Sequence, residues 1–155
     1  MTARTHPLLG RRMIDTLYVE AMLLADEARS YFDIVGRAER DALTPIERVD
    51  FSCESLRVTT RLMHIIAWLL TRKAVDAGEI SETQAAAPER RLGRAQGGDP
   101  EALSRLPEAA RQIVAATGDL YERVMRLDEE MRRPGSAESP ARSLIYRLQG
   151  AFEPA

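Results

Sequence analysis

The spacing of apolar residues along the chain predicts three long helices, at about residues 12–35, 45–77 and 107–132. In the first and third, apolar positions recur at intervals of three and four, which is typical of one helix face. These positions are Ile14, Leu17, Ala21, Leu24, Ala28, Tyr31 and Val35, and then Ile113, Ala116, Leu120, Val124, Leu127 and Met131. Gly118 interrupts the third helix, which leaves open whether a neighbouring helix approaches closely there. No stretch shows the period-two alternation of a strand, so the predicted fold class is all-α.

The longest predicted helix, residues 45–77, has sequence signals at both ends. Thr44 is a suitable N-cap, Pro45 fits the first helical position, and Glu47 completes a capping box with Thr44. Gly78 can adopt the left-handed conformation that ends a helix. At 1.5 Å per residue this helix would be about 50 Å long.

Apolar residues of the long helix form two seams along its length. The first seam consists of Val49, Cys53, Leu56, Thr60, Met63, Ala67 and Leu70. The second seam consists of Phe51, Val58, Leu62, Ile65 and Leu69, with Ile66 between the two. A helix resting on one core shows an apolar arc of a little over about 100°, and this arc covers more than half the circumference. We therefore expect at least two partners to cover the helix, supplied by the same chain, by a second copy, or by both.

The connections predict how the helices are arranged. Gly36 is placed to stop the first helix, and the short linker to Leu43 predicts antiparallel packing of the first two helices. Ser81 and Gln84 predict a short capped helix that Pro88 ends. Residues 88–106, rich in glycine and proline, predict a long mobile loop. The expected architecture is an antiparallel up-down-up three-helix bundle over residues 1–135, homodimeric, with a flexible tail over 136–155 that contains a short possible helix.

Composition narrows the classes of partner and location. Charged residues make up 30 % of the chain, but the net charge is only -2 and no basic face is evident, so no nucleic-acid partner is expected. Cys53 is the only cysteine, which rules out an intramolecular disulfide and favours a small buried core residue. The N-terminus lacks the features of a secretory signal, and no apolar stretch is long enough to span a bilayer. These features predict a cytoplasmic protein without a membrane partner.

The sequence offers no recognisable catalytic or metal-binding constellation. The two histidines are His6, in the N-terminal lead-in, and His64, which has no carboxylate three or four residues away. A nucleophilic triad requires a nucleophile, a base and an orienting group at one site. One cysteine and two distant histidines cannot form a zinc site, and no phosphate-binding glycine motif occurs. We therefore expect neither enzymatic activity nor a cofactor or metal.

A polar stripe lies along the long helix and is a candidate for partner binding. It consists of Glu54, Arg57, Arg61, His64, Trp68 and Arg72, of which the last five are the candidate contact residues. Tryptophan and arginine contribute most to many protein interfaces. The alternative is structural: Arg57 and Arg61 would form ion pairs with the other helices, Trp68 would lie against the bundle, and His64 would be buried with a hydrogen bond.

Two further segments carry candidate contact residues. The tail contains an apolar run with arginines, and this run either folds back on the bundle or binds a partner or a second copy. Its candidate contact residues are Leu144, Tyr146 and Arg147. Arg90, Arg91 and Arg94 form a basic cluster, for which solvated linker charge is favoured over a docking site.

The run ESLRVTTRLMHIIAWLLTRKAVDAGEIS, residues 54–81, together with SYFDIVGR at the end of the first helix, resembles the alphaproteobacterial family typified by the regulator of CtrA degradation. The resemblance covers about Asp15 to Ser81, is looser in the third helix and does not extend to the tail. It implies a dimeric three-helix bundle that acts as an adaptor and not as an enzyme.

Characterised members of that family help deliver CtrA and other substrates to the ClpXP protease, together with CpdR and PopA. The resemblance therefore implies a homodimer whose partners are ClpXP, a CpdR-like response regulator and proteolysis substrates in cell-cycle control. The alternative is a dimeric helical protein-interaction module unrelated to proteolysis. No family motif assigns individual residues of the polar stripe or the tail.

Overall fold

The structure is a computed structural model that describes the backbone of residues 5–132 and the side chains of residues 10–132. In order, its elements are α1 (Thr5–Ser30), a π-helical turn (Tyr31–Val35), α2 (Arg37–Asp41), α3 (Pro45–Asp76), α4 (Glu82–Ala85), a 3-10 turn (Pro88–Arg90), α5 (Pro100–Ser104) and α6 (Glu108–Arg132). No strand occurs between residues 5 and 132, and the predicted all-α class is confirmed. The tail at 136–155 lies outside the described residues.

Both predicted ends of α3 have the expected geometry. The Thr44 hydroxyl accepts a hydrogen bond from the Glu47 backbone N–H at 3.3 Å, and the Glu47 carboxylate accepts one from the Thr44 backbone N–H at 3.4 Å. Gly78 has a φ of 75°, the left-handed conformation that glycine adopts without a steric penalty. The capping box of α4 between Ser81 and Gln84 is also formed.

The first helix starts earlier than predicted, at Thr5, and its α-helical part ends at Ser30, before a π-helical turn that ends at Val35 next to Gly36. The Gly36 N–H donates to the Tyr31 carbonyl at 2.6 Å, which inserts one π-helical turn, and the chain continues into α2 up to Asp41. Gly36 has a right-handed φ of -79°, so it is not a left-handed stop. A Cβ at this position would lie 2.8 Å from the Tyr31 carbonyl oxygen. Glycine is therefore needed here for a close approach of backbone to backbone.

The three long helices do not run up-down-up. Asp15 on α1 pairs with Lys73 on α3 at 2.9 Å, whereas Phe32, in the π-helical turn after α1, packs on Phe51 near the start of α3, with ring centroids 5.2 Å apart. These two helices are antiparallel. Contacts between α3 and α6 instead advance together along both helices, from Arg61–Thr117 to Trp68–Asp128. The two helices are therefore parallel, and the up-down-up prediction was wrong.

The parallel arrangement explains the long connection, which we call the crossover (residues 77–107). The chain must return along α3, which has 32 residues and is about 48 Å long, before α6 can begin. Short links can join only antiparallel neighbours in a bundle. Along this path Gly93 lies against His64, and Gly98 lies against Glu54 nearer the start of α3. The crossover thus covers one side of α3.

The crossover is bound to the bundle and contains α5, which the prediction of one long loop missed. The Tyr121 hydroxyl on α6 donates to the Gly93 carbonyl at 2.8 Å and accepts from the Ala95 N–H at 3.2 Å. Leu92, Leu103 and Leu106 pack against the main core. That core lies between α1, α3 and α6 and includes the second seam.

Candidate interaction surfaces

Much of the polar stripe is buried, because α6 and the crossover lie over it. Exposure is only 3 % for Glu54, 6 % for Arg61 and 4 % for Trp68. The Trp68 indole N–H donates to Asp128 at 2.9 Å, and Asp128 also pairs with Arg132 at 3.0 Å. Trp68 therefore lies against the bundle, as the structural alternative predicted.

Arg61 is held between α3 and α6 by hydrogen bonds to neutral groups. Its guanidinium donates to the Thr117 hydroxyl at 2.8 Å and to the Val114 carbonyl at 3.4 Å. Burial lowers the pKa of Arg61, because a low-dielectric surrounding disfavours the charged form, and the nearby Glu54 carboxylate partly opposes this shift. The side chain joins the two helices through these hydrogen bonds. The structural alternative instead predicted that Arg61 would form an ion pair with an acidic residue of another helix.

Other members of the polar stripe lie at the edge of the covered region. Arg57 pairs with Glu54 at 2.7 Å and is half-buried. Arg72 donates to both carboxylate oxygens of Glu82, at 2.8 and 3.1 Å, and these hydrogen bonds lower the pKa of Glu82. Their charges are therefore largely engaged within the chain.

His64 packs beneath the crossover. A Cβ on Gly93 would lie 2.7 Å from the His64 ring. Within the described residues the buried Nδ1 of His64 has no hydrogen-bond partner, so the hydrogen bond expected there is not formed. The other candidate contact residues, Leu144, Tyr146 and Arg147, lie outside the described residues.

The described side chains form no group of three or more His, Cys, Asp or Glu that could hold a metal ion. Among the helices between residues 5 and 132, none is both long and apolar enough to cross a membrane.

The first seam of α3 is exposed. Exposure is 61 % for Val49, 68 % for Leu56 and 63 % for Met63. Leu70 and Ile46 are also exposed large apolar residues on this helix, while Cys53 is half-buried. The second seam, by contrast, is buried from Phe51 to Leu69. One of the two apolar seams therefore has no partner within the described chain.

The first seam has the composition and spacing of an interface. At about 100° per residue, the charged residues of α3 from Asp50 to Arg72 fall about 90–150° away from the centre of the first seam, on the flank that α6 and the crossover cover. Charged residues are depleted at the centres of protein interfaces. The alternating intervals of four and three match a coiled-coil seam. In the sequence, the wide apolar arc indicates this surface. The sequence analysis instead places the candidate partner-binding residues on the polar stripe.

Comparison with known proteins extends the resemblance. The sequence pattern of a family described as "Protein of unknown function (DUF1465)" matches residues 5–152, and so includes α6 and the apolar run of the tail. No curated protein is significantly similar to the chain. The crystal structure of RcdA from Caulobacter crescentus CB15 matches with a TM-score of 0.63 and 31 % identity, covering 76 % of this chain and 89 % of that one. The chain therefore belongs to the DUF1465 family and is RcdA-like, as the resemblance to the regulator of CtrA degradation predicted.

Proposed function

We propose that this protein is a non-enzymatic adaptor that helps deliver substrates to the ClpXP protease in cell-cycle control. The observation that carries the proposal is the similarity to RcdA, at 31 % identity over 89 % of that chain. An adaptor of this kind needs surfaces and not catalytic groups, because holding two partners together raises their effective concentration. Such an adaptor would act in the cytoplasm.

Copurification with ClpX and with a CpdR-like receiver protein tests this role. We expect the full chain to retain both partners, alone or with a candidate substrate, and to accelerate degradation of that substrate by purified ClpXP. Failure to bind either protein in the presence or absence of candidate substrates would contradict the proposal.

The adaptor is proposed to be a homodimer in which the first seams of two α3 helices pack against each other. An exposed, charge-free stripe from Val49 to Leu70 is about 32 Å long, comparable to several heptads of a coiled coil. Burying it against an identical seam would remove its apolar side chains from water without burying a charge.

The second candidate function is a dimeric helical interaction module unrelated to proteolysis. The same exposed seam favours it, because an apolar interface does not specify what the dimer binds. This candidate predicts dimerisation in solution without association with ClpX.

Partner contacts outside the seam are proposed at the partly covered edge of the polar stripe, formed by Arg57, His64 and Arg72, and in the tail at Leu144, Tyr146 and Arg147. We leave Arg61 and Trp68 out of this proposed contact surface because both are buried between α3 and α6.

A further inference from the structure

A groove runs between α1 and α6 on the outside of the bundle. It begins with a cavity of about 550 Å³ whose apolar base includes Met13, Leu17 and Leu127. The groove continues into a cavity of about 410 Å³ lined by α1 residues that include Val19 and Leu23, and Thr16 and Glu20 line both. From Arg12 to Glu27 it follows α1 for about 22 Å. The Arg123 guanidinium on α6 pairs with the Glu20 carboxylate on α1 where the two cavities meet. Met13, Val19 and Leu23 are exposed, so the described chain leaves the apolar parts of the groove uncovered.

The tail contains a segment whose sequence matches this groove. At about 100° per residue, its apolar positions fall on one side of a helix. These positions are Ala141, Leu144, Ile145, Leu148 and Phe152. A helix over residues 141–152 would be about 18 Å long, slightly shorter than the groove. Arg142 and Arg147 flank the apolar side. The groove walls carry both signs of charge, with carboxylates at Glu27 and Glu130 and arginines at Arg12 and Arg126, so the match rests on the apolar positions and not on charge.

The end of α6 lies close enough to the groove for the tail to reach it. Glu130 lines the groove and lies two residues before Arg132, the last described residue of α6. Pro134, Gly135 and Pro140 follow, and residues of these types end helices and favour turns. The residues between Arg132 and Leu144 could span about 36 Å when extended, which exceeds the length of the groove. The family match also continues to residue 152 and thus includes the whole apolar run.

We propose that residues 141–152 of the same chain occupy the α1–α6 groove as an additional helix, with Leu144, Leu148 and Phe152 against its apolar base. Tyr146 falls on the opposite side of such a helix and remains available to a partner. This placement does not depend on the proteolysis role, and it leaves the first seam of α3 free.

A spin label on the tail of the full chain tests the placement. Cys53→Ser combined with Ser143→Cys puts a single nitroxide on the polar side of the segment. We expect the NMR methyl signals of Met13, Val19 and Leu127 to lose intensity, while those of Leu56 and Met63 on the first seam keep theirs. Amides of residues 144–152 should exchange about tenfold more slowly than those of an unstructured segment.

Two variants that carry the same substitution to glutamate, and one mixed sample of labelled and unlabelled protein, serve as controls for this experiment. Met13→Glu places a charge in the groove and should restore the lost signals, whereas Ile34→Glu places the same charge at an exposed apolar residue outside it and should not. Isotope-labelled protein mixed with unlabelled, spin-labelled protein should show no effect, because the contact is within one chain. Unchanged groove signals, no response to Met13→Glu, or an effect in the mixture would each overturn the proposal.

Discussion

Single residues differ in how far the fold depends on them, and the glycines illustrate this clearly. Apart from Gly118 itself, its chain neighbours and the nearby backbone of α6, no heavy atom lies within 4 Å of the position that a Cβ would occupy, so no neighbouring helix requires glycine there. Gly118→Ala should raise the free energy of unfolding by about 0.5–1 kcal/mol, because alanine has the better helix propensity and restricts the unfolded chain. Urea denaturation, followed by the fluorescence of the buried Trp68, measures this change.

Gly36→Ala is the matched control for that substitution. It adds the same methyl group 2.8 Å from the Tyr31 carbonyl oxygen, so we expect it to destabilise the protein. Equal effects of the two alanine substitutions would contradict this account.

Two arginines of the polar stripe should also differ in their effect on stability. Arg61→Met removes buried charged hydrogen bonds to Thr117 and Val114, and we expect a loss of about 2 kcal/mol. Arg72→Met removes an ion pair whose partner Glu82 is exposed, and should cost less than about 1 kcal/mol. Thermal or urea denaturation gives both values, and a similar cost for the two would show that Arg61 is not a structural residue.

The Arg72–Glu82 pair gives stability a small dependence on pH. Hydrogen bonding to Arg72 lowers the folded-state pKa of Glu82, so the pair stabilises the protein above the unfolded pKa of about 4.3 and loses this contribution as the pH falls through the folded pKa. Glu82→Gln should therefore lower the free energy of unfolding at pH 7 by less than about 1 kcal/mol, because Glu82 is exposed. In urea titrations, the difference from the parent should disappear as the pH falls below that folded pKa. If the stability difference between Glu82→Gln and the parent instead grows as the pH falls, this prediction is wrong.

At the scale of elements, α3 determines most of the architecture because three of its faces have different roles. The second seam forms the core with α1 and α6, the polar stripe lies under the crossover, and the first seam is exposed. Because these faces are separate, a single chain can fold around the second seam while the first seam stays exposed as an apolar surface.

Substitutions on the two seams should separate folding from association. Leu56→Glu with Met63→Glu should convert the proposed dimer to a monomer that keeps its helical circular dichroism, because both side chains are exposed in the single chain. Leu62→Asp instead buries an unpaired charge in the second seam and should unfold the protein. Light scattering gives the solution mass, and an unchanged mass for the double variant would rule out this dimer interface.

The crossover is the element that sequence reasoning described least well. Its glycines and prolines predict a mobile loop. This prediction missed α5 and the hydrogen bonds that Tyr121 makes with Gly93 and Ala95. Close approach to α3 provides another reason for small residues: a Cβ on Gly98 would overlap the Glu54 carboxylate. Local sequence cannot distinguish a glycine kept for flexibility from one kept for lack of space.

At the scale of the whole molecule, the topology combines two antiparallel helix pairs, α1–α3 and α1–α6, with one parallel pair, α3–α6. A short link joins α1 to α3 through α2, and the long crossover joins α3 to α6. This arrangement places one surface on each of two sides: the first seam on α3, and the groove between α1 and α6. If the tail of the same chain occupies the groove as proposed, the first seam remains the free apolar surface for a second copy.

The sequence by itself determined the approximate positions of the three long helices, where α3 begins and ends, and that its apolar arc is too wide for one partner. These features depend on local capping, backbone conformation and periodicity, all of which neighbouring residues determine. Only the tertiary structure decided the direction of α6, the path of the crossover and which side of α3 is covered. Those depend on contacts such as Arg61–Thr117 and Trp68–Asp128, between residues more than fifty positions apart. Because such contacts satisfy buried polar groups, a stripe of charged residues became an interior surface and an apolar seam became the exposed one.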